Sequence, residues 1–138
     1  MQYCDIMTKR HDRASGIRQR LGQISTEMAG EVRRMVRVRE MLRGYVYHSR
    51  RRCGKPSCRC ARGELHEAWV LATKVDGKQT TRSLSGGRRK KVQRLAEDYR
   101  RYRQAQSAVR KLCGELAQLG RELEGLICED PFKEQRRR

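Results

Sequence analysis

At 138 residues the chain is long enough for one domain. It carries 34 Lys/Arg against 16 Asp/Glu, a formal net charge of +18. Leu, Ile, Val and Phe total only 24 residues, which places the composition near disorder and excludes a large globular core.

No apolar run is long enough to span a bilayer. Residues 1–10 lack the apolar stretch of a signal peptide. A reducing, cytoplasmic location is therefore expected, with Cys4, Cys113 and Cys128 as free thiols without a role. An anionic membrane surface is not the expected partner, because the basic middle of the chain has no amphipathic helix with bulky apolar anchors.

Residues 1–13 are polar and patternless and read as a flexible lead-in. Residues 14–43 read as the first helix. Its apolar seam runs through Ile17, Leu21, Ile24, Met28, Met35, Val38 and Leu42, in alternating steps of three and four. One gap falls at Glu31, and Val32 beside it is expected to fill it. Ser15 is a candidate N-cap, and Gly44 suits the position that ends the helix.

Residues 44–87 read as a metal and β-hairpin module. Alternation predicts a strand over 45–52, with Tyr45 and Tyr47 on one side and Val46 and His48 on the other. A β-hairpin runs from Ala68–Val75 through Asp76-Gly77, a strong two-residue turn, and back along Lys78–Leu84. Between them the spacing C-x4-C-x-C-x5-H places Cys53, Cys58, Cys60 and His66 within fourteen residues. Three thiolates and an imidazole are the donor set of a tetrahedral Cys3His zinc site. His48 competes with His66 as fourth ligand, and Cys113 is a more remote competitor. Three reduced thiols in a basic loop, or a Cys58/Cys60 redox pair, are the alternatives. Four protein ligands close the coordination sphere, so the expected role is structural and not catalytic.

Residues 88–128 read as the long second helix, with Ser85 a candidate N-cap. Its seam is Val92, Leu95, Tyr99, Tyr102, Val109, Leu112, Leu116, Leu119, Leu123 and Leu126, with a phase slip between Val109 and Leu112. Pro131 ends it, and 129–138 is a basic tail. The expected fold is α+β and mostly α: an antiparallel two-helix coiled-coil hairpin with a small zinc-stapled β-hairpin module between the helices.

The charge concentrates in that module. Residues 44–91 carry thirteen Lys/Arg and three Asp/Glu, the footprint of a polyanion binder. Arg50, Arg51, Arg52, Lys55, Arg59 and Arg62 surround the metal loop. Arg88, Arg89, Lys90 and Lys91 open the second helix, where the macrodipole favours acids instead. A phosphate held by free N–H groups at this helix start, with Gly86-Gly87 leaving the backbone approachable, would account for both features. Tyr45, Tyr47 and Trp69 are candidates for stacking on bases, with core packing the favoured role of Trp69. No recognition helix is evident, so backbone-directed, salt-sensitive binding without sequence specificity is expected. No catalytic constellation is evident, and the chain is not expected to be an enzyme.

The run from Cys53-Gly54-Lys55-Pro56 through Cys58, Cys60, Gly63 and Leu65-His66 resembles a family of small uncharacterised prokaryotic proteins. The likeness continues through an aromatic strand, Gly77-Lys78, Thr81-Arg82-Ser83 and Tyr99-Arg100-Arg101-Tyr102-Arg103. It covers about residues 44–105, with Glu67-Ala68-Trp69 departing from the family's Gly-Pro-aromatic stretch. The resemblance implies that the cysteines and His66 act as a unit. It favours DNA over RNA, in a mobile-element or defence setting. A coiled-coil adaptor docking onto a larger nucleoprotein or recombinase complex, or a homodimer through the helices, is the competing expectation.

Overall fold

The structure, a computed structural model, describes residues 2–128, with side chains from residue 8 onward. The expected basic tail at 129–138 lies outside the described residues. The fold is α+β: helix α1 (Gln2–Arg37), strands β1 (Tyr45–Arg51), β2 (His66–Val75) and β3 (Lys78–Leu84), and helix α2 (Gly86–Ile127). A short 3-10 turn, Arg59–Arg62, lies between β1 and β2. The chain divides into two compact units, one drawn from Met1–Arg33 and Ala105–Arg138, the other Arg34–Gln104.

The first unit is helical. Helix α1 begins well before residue 14, so the flexible lead-in expected over 1–13 is helix from Gln2 onward. Nothing in that stretch is a helix breaker. Within it Arg10 donates to the Leu126 carbonyl and Arg13 reaches Glu122 at 3.4 Å. Further along, the Arg20 guanidinium forks onto both Glu115 oxygens at 2.7 and 3.0 Å, and also binds Glu27 at 2.7 Å. Partners on α2 descend in number as those on α1 rise, so the two segments run in opposite directions. Ala14, Ile17, Ile24, Ala105 and Leu112 are buried, which follows the expected seam and extends it to Ala14. Val32 does not fill the gap, because it is 43% exposed.

The buried Ala105 also relocates the phase slip on α2. Tyr102, Ala105, Val109, Leu112, Leu116 and Leu119 step by three and four in regular alternation, so no slip separates Val109 from Leu112. The irregularity is at Tyr99–Tyr102–Ala105, two successive steps of three, where α2 passes from one unit to the other. The helix changes what it packs against there, and its apolar face changes with it.

The second unit holds the three-stranded antiparallel sheet, ordered β1-β2-β3. Asp76 and Gly77, with φ of 50° and 77°, form the two-residue turn expected between β2 and β3. Register pairs Tyr45 with Ala72, Tyr47 with Val70, and Arg51 with His66. Helix α1 stops at Arg37, short of the expected 43. The Leu42 N–H goes instead to the Leu95 carbonyl at 3.0 Å, and Thr73 Oγ1 donates to the Arg43 carbonyl at 2.6 Å. Those bonds lay the connector on β2 and α2. Gly44 therefore does not cap a helix. It leads into β1 where a Cβ would stand 2.6 Å from the Ala72 carbonyl oxygen. The apolar interior is thin, as composition requires: Val70, Ala72 and Ala96, with Cys60 1% exposed.

Candidate metal centre

The metal loop is the connection between two paired strands. Arg51 is the last residue of β1 and pairs with His66, the first of β2, so the ladder closes the base of the loop. Cys53 leaves β1 two residues beyond that pair. Cys58 is extended (φ −77°, ψ 145°) and precedes the 3-10 turn that carries Cys60. Backbone bonds Cys58 N–H to Lys55 C=O (3.1 Å) and Ala61 N–H to Cys58 C=O (2.9 Å) form successive turns. Gly63, at φ 108°, reverses the chain toward β2.

These turns bring four donors together. The Cys53, Cys58 and Cys60 sulfurs and a His66 ring nitrogen all lie within 4.8 Å of one another. Cys53 and Cys60 Sγ are 3.5 Å apart, and Cys58 Sγ is 3.1 Å from His66 Nε2. Zinc bonds of roughly 2.0–2.3 Å in a tetrahedron imply ligand–ligand edges of about 3.5–3.8 Å, so the cluster has the size of one ion. The cysteines are free thiols. The 3.5 Å Cys53–Cys60 separation far exceeds a disulfide bond of about 2.05 Å. The expected alternative of a Cys58/Cys60 redox pair is not the close thiol contact, which joins Cys53 to Cys60.

Backbone N–H groups prepare the thiolates. The Lys55 N–H lowers the Cys53 thiol pKa, helped by Cys60, and the Cys60 N–H lowers that of Cys58. Cys60 receives the Cys53 N–H at 3.4 Å, which also lowers it. Burial and the neighbouring sulfurs outweigh that bond, and the Cys60 thiol is pushed up. Three thiolates this close would repel one another, and a dication held at their centre would remove that penalty.

His48 is not part of this group. Its ring stacks obliquely on Trp69, centroids 5.0 Å apart, and its Nε2 is 3.6 Å from Glu67. Strand alternation turns it away, since His48 pairs with Trp69 while His66 pairs with Arg51. Cys113 belongs to α2 and is likewise outside the group.

The expected basic contacts divide into two kinds. Arg51, Arg52, Lys55, Arg62, Arg88, Lys90 and Lys91 are exposed. Arg50 binds Glu67 at 2.9 Å and Arg59 stands 3.9 Å from Glu64, so both are partly neutralised. The Arg89 guanidinium lies 4.9 Å over the Trp69 ring, a cation–π contact. At the start of α2 the Ser85 carbonyl accepts the Arg88 N–H at 3.2 Å, and the first turn holds no acid.

Two grooves, each of about 410 Å³, share Tyr45, a candidate for base stacking from sequence, while their other lining residues were not assigned to a site from sequence. Tyr45, Tyr99 and Arg103 border both. The available signal was the i, i+4 spacing of Tyr99 and Arg103, which puts them on one helix face.

No helix among the described residues is long and apolar enough to cross a membrane. Nothing matches among curated proteins or among solved structures. Residues 15–94 match a family described as a domain of unknown function, DUF6788. That span takes in most of α1, the whole metal loop and the entire sheet, and on it the chain belongs to the DUF6788 family.

Proposed function

We propose that the protein is a non-enzymatic, zinc-stabilised nucleic-acid-binding protein. DNA is the target rather than RNA, and the protein acts as an accessory factor of a mobile-element or defence system in the cytoplasm. The observation that carries the reading is charge placement. Residues 34–104 hold twenty-one Lys/Arg against six Asp/Glu, a net +15 of the chain's +18. The metal loop presents Arg51, Arg52, Lys55 and Arg62 outward from that unit. The choice of DNA and the mobile-element setting rest on the family resemblance at 44–105.

Zinc is the metal that three thiolates and one imidazole select in a reducing compartment. It leaves no open coordination position, which favours a structural role. Apparent binding free energies of about 10–16 kcal/mol for structural zinc exceed what the few small buried side chains of this unit supply. The ion thus holds the basic loop in shape. The test is a mobility shift at two salt concentrations on metal-loaded and chelated protein. Binding that survives chelation undiminished would overturn the link between ion and surface.

The opposed helical segments favour a second reading. There the two helices form an antiparallel coiled-coil hairpin that docks onto a larger complex or a second copy. The exposed Val32 and Leu116 support it. Its signature is a variant with Val32→Lys and Leu116→Lys that stays folded, keeps its nucleic-acid affinity and loses the partner.

A further inference from the structure

Tyr45 and Tyr47 occupy alternate positions on the edge strand β1 and therefore share one face of the sheet. Their rings stand 5.7 Å apart, tilted by 33°, and remain 58% and 37% exposed. Two large aromatics left this open have little packing to do. Tyr45 is also the wall common to two grooves. Arg43, Lys74 and Arg103 line the first together with Tyr45 and Tyr99. Arg100 and Arg103 line the second, where Glu97 is the only acid. The grooves thus offer aromatic faces bordered by cations.

That combination matches one ligand chemistry. A planar base seats on a tyrosine face, and the phosphates on either side of it meet the arginines. Duplex cannot use it, because a duplex keeps its base faces inside its own stack. The ring separation makes the same point. Successive stacked bases rise by about 3.4 Å, whereas the two rings are 5.7 Å apart. Bases seated on both rings have left the stack.

We infer that the face bearing Tyr45 and Tyr47, with the grooves beside it, binds single-stranded nucleic acid. Bases stack on Tyr45 and Tyr47, and phosphates lie along Arg43, Lys74 and Arg103. This deepens the nucleic-acid reading above and rests on it. It assigns a surface separate from the metal loop and from the start of α2, and a strand state that charge alone does not select.

The test is fluorescence anisotropy of the full-length, zinc-loaded protein. The probes are labelled oligothymidylate, oligouridylate and a mixed-sequence duplex. Wild type is expected to prefer a single-stranded probe to the duplex. Tyr45→Leu and Tyr47→Leu keep apolar bulk but lose the stacking face. Each is expected to weaken single-strand binding by about 5- to 100-fold and to leave duplex binding unchanged. Tyr45→Phe should retain wild-type affinity. Should a Leu variant lose its bound zinc, Lys74→Gln with Arg103→Gln serves instead, with the same strand-selective loss expected. Equal loss on single strand and duplex, or no loss on either, overturns the inference and leaves general nucleic-acid binding standing. Failure of wild type to bind any probe at low salt overturns both.

Discussion

His66 owes its place in the Cys3His cluster to its being the first residue of β2. Its partner Arg51 ends β1, so its ring starts from a backbone that the sheet already holds. His66→Ala and Cys58→Ser are therefore expected to lose the metal, and His48→Ala to keep it. Elemental analysis of the purified variants, against one ion per wild-type chain, decides between the two histidines. Glu115 carries a different prediction. Hydrogen bonds from Arg20 hold its carboxyl below the usual carboxylate range. A depressed folded pKa gives stability that is present above the unfolded value of about 4.3. That stability is lost as pH falls through the lower folded value. Glu115→Gln should thus lower the urea midpoint near neutrality, and the difference from wild type should vanish in acid. Gly44 is a steric case. A Cβ there meets a backbone carbonyl at 2.6 Å, which no side-chain movement relieves. Gly44→Ala should cost about 1–3 kcal/mol, the usual penalty of overpacking. Gly22→Ala, in open space on α1, should gain roughly 1 kcal/mol. Urea denaturation measures both.

Elements differ in how they could be read from residues alone. The strands were legible because Tyr45–His48 alternate and Asp76-Gly77 is a turn that needs positive φ at both positions. The four ligand candidates were legible because they are close in sequence. The ends of α1 were not. Its start depends on Arg10 and Arg13 finding partners more than a hundred residues away, and its end on the Leu42 N–H being taken by Leu95. Such bonds leave no local pattern. The slip on α2 was misplaced because a small Ala105 does not register as apolar beside leucines. The grooves at Tyr45 were invisible because they join strand and helix residues distant in the chain. At the α2 start, helix physics and the proposed nucleic-acid binding make opposite demands. Replacing Arg88, Lys90 and Lys91 by Glu complements the macrodipole, the first-turn Arg88 exchange favouring the helix by about 0.3–1 kcal/mol and the other two by less. The triple variant should bind nucleic acid more weakly while its melting temperature holds or rises. Weaker binding together with a lower melting temperature would mean that these cations stabilise the fold instead.

For the molecule as a whole, charge asymmetry sets the dependence on salt. With +15 concentrated in residues 34–104, the proposed nucleic-acid affinity should fall linearly on a logarithmic plot against salt. Each phosphate-contacting cation removed should reduce the slope by about one. The pairing of Arg51 with His66 has a wider consequence. His66 begins the strand whose far end enters the Asp76-Gly77 turn, so metal binding by the proposed Cys3His set would be coupled to pairing along β2. Reciprocity then makes the far turn a determinant of chelator resistance. A Gly77→Val exchange, which touches no ligand, should let a competing chelator strip the protein sooner. Deuterium uptake in the stripped form should spread along β2 from His66 first.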